Sequence, residues 1–139
     1  AVTVFLLGAA TNAEYLLGIN LGIDELLFRD LSPEATFPGR PSPHTSLGFM
    51  LTGVSLMLLD SKRLWVLQLS QQVGVTIGLG AIIAIIGYIY SSLPFYALTT
   101  YTGMAIHTAL SFLAISCGVI FAGSYRAAKV FTAHSERAT

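Results

Sequence analysis

The stretches His44-Thr45-Ser46-Leu47-Gly48-Phe49 and His107-Thr108-Ala109-Leu110-Ser111-Phe112 are two copies of one motif. Four of the six positions are identical, and the copies lie 63 residues apart. Each copy opens an apolar stretch of the chain. A repeat of this length is typical of two copies of one supersecondary unit, which pack together because neither buries its apolar face alone. The sequence therefore predicts two repeat units, at about residues 1–60 and 64–126, each a pair of membrane-spanning helices.

The composition indicates that the solvent of this chain is a lipid bilayer. Of its 139 residues, 54% are hydrophobic and only 10% are charged, and the mean hydropathy is +0.72. A soluble domain carries roughly 25% charged residues, so this chain lacks the polar side chains to cover a water-facing surface. The formal net charge of zero argues against a nucleic-acid partner. The single cysteine, Cys117, excludes an internal disulfide and a cysteine-based zinc site.

Four apolar stretches are predicted to be transmembrane helices, because each approaches the roughly 20 residues that a helix needs to cross a bilayer. They cover about residues 2–19, 43–59, 64–90 and 104–125. Ser42 and Pro43 have the chemistry of a helix N-cap followed by proline in the first turn. The expected fold is an all-α integral membrane domain over residues 1–126, in which four helices form two tandem hairpins as a parallel internal repeat.

The distribution of charge predicts the orientation in the membrane. Most basic residues follow the second and fourth spans, namely Lys62, Arg63, Arg126, Lys129 and Arg137. The loop at 20–42 carries most of the acidic residues, namely Asp24, Glu25, Asp30 and Glu34. Because basic residues favour the cytoplasmic side, we expect the 60–64 loop and the 127–139 tail to be cytoplasmic and the 20–42 loop to be external. The tail is a candidate to continue as a helix.

The histidines of the repeated motif, His44 and His107, are the sharpest candidates for a cofactor-binding site. Two histidines that face each other across a helix bundle would supply both axial ligands of a haem, and one alone would bind a pigment or a metal ion. The structural alternative is that both lie near the headgroups as part of a folding motif. In that case, Thr45 and Thr108 bond back to their own helices.

Glu14 is a further candidate, because a carboxylate within a membrane span is costly unless it is paired or neutralised. Its expected roles are to pair with Arg40, to accept a hydrogen bond from a histidine, or to carry a proton. The alternative is that its side chain simply reaches the membrane interface.

Small residues predict where the helices approach each other. The stretch Gly74-Val75-Thr76-Ile77-Gly78 has the small-xxx-small spacing of membrane helix contacts. Gly48 and Gly53 correspond in the repeat to Ser111 and Ser116. These positions predict helix contacts, within the chain or with a partner.

No motif of the sequence indicates catalysis. The chain contains no phosphate-binding glycine loop, no His-Glu-x-x-His and no nucleophile elbow. We therefore expect a protein that is not an enzyme.

Three segments resemble a pattern found in bacterial multi-spanning sensor modules, which precede PAS, histidine-kinase or diguanylate-cyclase domains. They are residues 14–28 (EYLLGINLGIDELLF), 38–47 (PGRPSPHTSL) and 103–112 (GMAIHTALSF). The usual patterns of the second and third segments are Arg-Met-Ser-Pro-Asn-Thr-Ala-Leu and Met-Ala-Leu-His-Thr-Ala-Leu. His107 matches the family pattern, whereas His44 replaces its usual asparagine, so a paired-histidine site would be peculiar to this chain.

The resemblance implies a non-catalytic sensory or regulatory module in a bacterial inner or intracytoplasmic membrane, surrounded by lipid. No kinase or cyclase sequence follows Thr139, so the expected partner is either a missing cytoplasmic output domain or other protein subunits. The alternative is a free-standing accessory subunit that stabilises a photosynthetic or respiratory complex, with a pigment or haem bound by His44 or His107. A small electron carrier that uses this histidine pair is the third hypothesis.

Overall fold

The computed structural model describes residues 1–20, 22, 39–89 and 104–135, and these residues form four helices and no strand. The helices are α1 (Val2–Leu17), α2 (Pro43–Leu58), α3 (Leu64–Ile89) and α4 (Ile106–Ser135). The all-helical prediction is confirmed for this part of the chain. The predicted loop at 20–42 lies largely outside the described residues, as does Tyr90.

Local sequence explains where the first two helices end and begin. Gly18 adopts a left-handed conformation with φ of 64°, which glycine tolerates without steric penalty and which terminates α1 two residues before the predicted end of the span. At the start of α2, the Ser42 side chain accepts a hydrogen bond from the Thr45 N–H. Pro43 follows in the first turn, so the predicted N-cap is confirmed.

The fourth helix is longer than the predicted span. It begins at Ile106 and continues without interruption to Ser135, over 30 residues. The part after Tyr125 is helical although it is more polar, which agrees with the prediction that the tail continues as a helix. At about 1.5 Å per residue, α4 is about 45 Å long.

The helices pair as two hairpins, and the internal repeat itself stays a prediction. Helix α1 packs on α2, and α3 packs on α4. The two hairpins meet mainly through α2 and α3, with a smaller contact between α2 and α4. Among the described residues, α1 contacts α2 alone. Within the described residues, the structure is therefore a row of two helix pairs in which the middle helices carry most of the contact between the two hairpins.

Small residues lie where the backbones approach most closely. A Cβ atom added to Gly78 would lie 2.5 Å from the Ser116 Oγ, and one added to Gly74 would lie 2.9 Å from Val119. The Ser116 hydroxyl donates a 2.8 Å hydrogen bond to the Gly74 carbonyl. The helix contact predicted from the Gly74–Gly78 spacing is therefore confirmed, and it joins α3 to α4.

A reciprocal pair of hydrogen bonds joins the two hairpins. The Ser55 Oγ donates to the Ser70 carbonyl at 3.0 Å, and the Ser70 Oγ donates to the Ser55 carbonyl at 2.8 Å. Both residues are fully buried. Each serine thus supplies both a donor and an acceptor, which holds α2 against α3 at this level.

We expect Ser55→Ala and Ser70→Ala each to lower the free energy of unfolding by about 0.6–1.7 kcal/mol, the range for hydrogen bonds between membrane helices. Unfolding by SDS in mixed micelles, followed by circular dichroism, measures this change. Ser111→Ala is the matched control, because the Ser111 hydroxyl bonds within its own helix to His107. A double-mutant cycle with no coupling between Ser55 and Ser70 would contradict the prediction.

Two of the described helices, α3 (26 residues) and the Ile106–Thr132 part of α4 (27 residues), are long and apolar enough to cross a membrane. Helices α1 and α2 have 16 residues each, or about 24 Å at 1.5 Å per residue, against a hydrocarbon core of about 30 Å. That all four helices cross the membrane stays a prediction.

Candidate functional site

A buried ion pair closes the first hairpin at the end where α1 stops and α2 starts. The Arg40 Nε lies 3.4 Å from the Glu14 Oε2, and the two side chains are 2% and 0% exposed. The Arg40 Nη2 donates to the Ile19 carbonyl at 3.3 Å, and its guanidinium lies 5.1 Å from the centre of the Tyr15 ring. The Tyr15 hydroxyl donates to the Pro41 carbonyl at 2.9 Å. We call these four residues, Glu14, Tyr15, Arg40 and Pro41, the closing cluster.

The closing cluster shows which of the predicted partners Glu14 contacts. Of the partners considered from the sequence, Arg40 is the one it meets, and the carboxylate is buried in the protein rather than extended toward the interface. The opposite charge offsets part of the desolvation of both ions, and the Tyr15 ring and the Ile19 carbonyl further offset that of Arg40. We therefore assign the pair to holding α1 against the start of α2.

The polar side chains at the start of α2 form hydrogen bonds within this turn, and the His44 side chain takes no part in them. The Ser42 and Thr45 hydroxyls lie 2.9 Å apart, and the Ser46 hydroxyl donates to the Pro43 carbonyl at 2.9 Å. Thr45 thus bonds to the cap of its own helix, as the structural alternative predicts. The His44 side chain is exposed, and no hydrogen bond to its ring is found within the described residues.

The two motif copies meet through their phenylalanines. The rings of Phe49 and Phe112, which occupy the same position of the repeat, lie edge to face with their centres 5.4 Å apart. A Cβ atom on Gly48 would lie 2.6 Å from the Phe112 ring. The motif is therefore a packing element where α2 meets α4, in addition to any role of its histidines.

A half-open cavity of about 290 Å³ lies between α2, α3 and α4 beside this aromatic contact. Its walls are mainly apolar, and its lining includes His44, Gly48, Thr76, Gly80, Ala84 and Phe112. The volume is near the lower end of the roughly 300–1,000 Å³ that is usual for ligand pockets. The cavity is a concave site within the described residues that suits a small apolar molecule.

The two candidate histidines occupy different surroundings in the structure. His44 lines the cavity, whereas His107 is not among its lining residues. The His107 carbonyl accepts a 2.8 Å hydrogen bond from Ser111 within α4, and its side chain is exposed. Ligation of a haem or pigment by the pair stays a prediction. Within the described residues, no group of three or more His, Cys, Asp or Glu side chains could hold a metal ion.

Sequence reasoning missed the cavity itself. Its lining includes Gly80, Ala81 and Ala84 of α3, which lie on a different helix from either motif copy. The sequence held two related signals. The repeated phenylalanine indicates a contact between the motif copies, and a run of small residues follows Gly78. Neither signal reveals an empty volume, because that depends on how three helices cross.

Comparison of the chain with protein-family models, with curated proteins and with solved structures finds no significant match. The resemblance to bacterial sensor modules therefore stays a prediction.

Proposed function

We propose that this chain is a non-catalytic, membrane-embedded sensory or regulatory module of a bacterial signalling protein. All four helices cross the inner or intracytoplasmic membrane, with the 60–64 loop and the end of α4 in the cytoplasm. A signal received at the cavity changes the packing between the two hairpins. The fourth helix carries that change to a cytoplasmic output domain or partner subunit.

The observation that carries the proposal is the continuity of α4. Phe112, near its start, lines the cavity and packs on Phe49 of the other hairpin. The same helix continues to Ser135, about 15 Å longer than a hydrocarbon core of about 30 Å. A rotation or shift of Phe112 is therefore transmitted to the polar end without an intervening joint.

The charges at the other end of the molecule support the orientation. The Arg126 Nη1 donates to the Leu59 carbonyl at 2.8 Å and to the Asp60 Oδ1 at 3.1 Å. Lys62 and Arg63 are exposed beside this contact. The α2–α3 turn and the extension of α4 therefore share one basic face, as expected for a cytoplasmic surface.

The proposal is tested with chimeras in which the chain is joined, after Ser135, to the cytoplasmic domains of a histidine kinase. One to seven residues are inserted after Lys129, and each residue rotates the following segment by about 100° because a helix has 3.6 residues per turn. We expect kinase output in bacterial cells to rise and fall with a period of 3.6 inserted residues. A periodic output shows that the orientation of α4 is read by the attached domain.

Immunoblotting of membrane fractions controls for expression, and a kinase without residues 1–135 defines the output of the domains alone. Output that is equal at every insertion length would contradict transmission through α4. The orientation would be contradicted if no insertion length gave kinase output and a protease expressed in the cytoplasm failed to cleave the kinase domain. That result would place the end of α4 outside the cytoplasm.

The second candidate, an accessory subunit of a larger membrane complex, is favoured by the unpaired side of α1. Leu16 and Leu17 are 85% and 68% exposed, and α1 packs on α2 alone among the described helices. Purification from native membranes in a mild detergent discriminates the two candidates. Stoichiometric membrane partners together with a flat output profile would favour the accessory role, and a pigment or haem absorbance lost in His44→Ala would identify the bound group.

A further inference from the structure

The size of the cavity restricts what it can bind. A cavity of about 150 Å³ accommodates one benzene molecule, and the cavity between α2, α3 and α4 measures about 290 Å³. It therefore has room for one substituted ring rather than for a whole lipid. Because the cavity is half-open, a longer substituent can leave it toward the surrounding bilayer.

The polar groups of the cavity restrict the chemistry further. The Thr76 hydroxyl donates a 3.0 Å hydrogen bond to the Gln72 carbonyl of its own helix. The His44 imidazole lines the same cavity and has no hydrogen-bond partner within the described residues. Among the described side chains that line the cavity, His44 therefore offers a ligand a hydrogen-bond donor that is not already used, at the edge formed by the first turn of α2.

The walls leave room for a flat ring, because four of the lining residues are glycine or alanine, namely Gly48, Gly80, Ala81 and Ala84. Phe112 also lines the cavity but is only 2% exposed, so a ligand would touch just a small part of its ring; aromatic groups prefer to pack on one another. Gly48 and Gly80 face the cavity from two different helices. A Cβ atom on Gly80 would have no neighbour within 4 Å. The helix packing therefore does not require a glycine here, and the glycine leaves this space open.

We propose that this cavity binds the ring of a membrane quinone. A ring N–H of His44 donates a hydrogen bond to one quinone carbonyl, the ring packs beside Phe112 and over Gly80, and the isoprenoid or alkyl tail extends into the lipid. The inference rests on the proposed function, because it assigns the class of ligand that the sensory module receives.

The test uses the full chain in phosphatidylcholine nanodiscs and an azido derivative of decylubiquinone as the photoreactive probe. After illumination, mass spectrometry of peptides locates the label. We expect labelling on α2, α3 and α4 peptides that contain cavity residues, and we expect excess decylubiquinone to compete with it. Oleic acid is the competing probe for an acyl-chain site.

Filling the cavity provides the decisive variants. The series Gly80→Ala, Gly80→Val and Gly80→Leu is expected to reduce specific labelling progressively, by more than tenfold for leucine. His44→Leu is expected to weaken decylubiquinone competition about tenfold, the effect of one hydrogen bond. Gly118→Leu is the matched control, because a Cβ atom there also has no neighbour within 4 Å and Gly118 does not line the cavity. Circular dichroism verifies that each variant is folded.

Several results would overturn the quinone assignment. They are labelling that persists unchanged through the Gly80 series, labelling that Gly118→Leu reduces equally, and competition by oleic acid as strong as that by decylubiquinone. If the insertion chimeras gave periodic output but the protein did not bind quinone, the quinone assignment would be wrong and the proposed signalling function would be retained. Flat output with specific quinone binding would overturn the signalling role and leave the binding site standing.

Discussion

Glu14→Leu is expected to lower the free energy of unfolding by about 3–5 kcal/mol, the usual consequence of removing one partner of a buried ion pair. The Arg40 guanidinium would remain 2% exposed without the carboxylate that compensates its charge. SDS unfolding in mixed micelles, followed by circular dichroism, measures the change. Glu14→Gln, which keeps the shape and an acceptor oxygen, is expected to have a smaller effect.

Two further variants separate charge from packing at this site. The double variant Glu14→Leu/Arg40→Leu is expected to recover much of the lost stability, because replacing both ions of a buried pair by apolar groups is often neutral. Asp60→Asn is the matched control at an exposed pair. The Asp60 and Arg126 side chains are 89% and 46% exposed, and exposed pairs contribute at most about 1 kcal/mol. A double variant as unstable as Glu14→Leu would show that the two charges do not act as a pair.

Gly8→Ala and Gly53→Ala are each expected to destabilise the first hairpin by about 1–3 kcal/mol, as added atoms do in a close-packed interface. A Cβ on Gly8 would lie 2.5 Å from the Ser46 carbonyl oxygen, and one on Gly53 would lie 2.6 Å from the Phe5 nitrogen. Both obstacles are backbone atoms, which cannot rotate away, so α1 must move from α2. The same SDS unfolding measurement detects the change.

Gly118→Ala provides the control for helix propensity. Because this Cβ would have no neighbour within 4 Å, the exchange is expected to leave stability unchanged or raise it by about 0.5–1 kcal/mol. If Gly8→Ala and Gly53→Ala behaved like Gly118→Ala, the close approach of α1 and α2 would be wrong.

The helices were predictable from the sequence because their signals are local. The limits of the apolar runs lie close to the observed helix ends except at the C-terminal end of α4, which continues to Ser135. Ser42 with Pro43 marks the start of α2 as expected from cap chemistry. The Gly74–Gly78 spacing identified a real helix contact, although its partners Ser116 and Val119 became known only from the structure. The end of α1 at Leu17 depends on the left-handed Gly18, which hydropathy does not detect.

The candidate site was less predictable, because it depends on contacts between residues distant in the chain. The sequence offered three roles for Glu14, and only the packing of residues 14 and 40 selects among them. It also singled out His44 and His107 as equals on the strength of the repeat. The structure separates them, because only His44 lines the cavity that α3 helps to form.

The closing cluster has a consequence for how such a chain evolves. The ion pair holds residues 14 and 40 together, and the Tyr15–Pro41 hydrogen bond spans 26 positions beside it, so the intervening chain has fixed ends whatever its composition. The entropic cost of closing a loop grows slowly, by about 0.6 kcal/mol for each doubling of length. Insertions and exchanges there leave the packing of α1 on α2 in place. We therefore expect this segment to tolerate changes of sequence and length at little cost in folding.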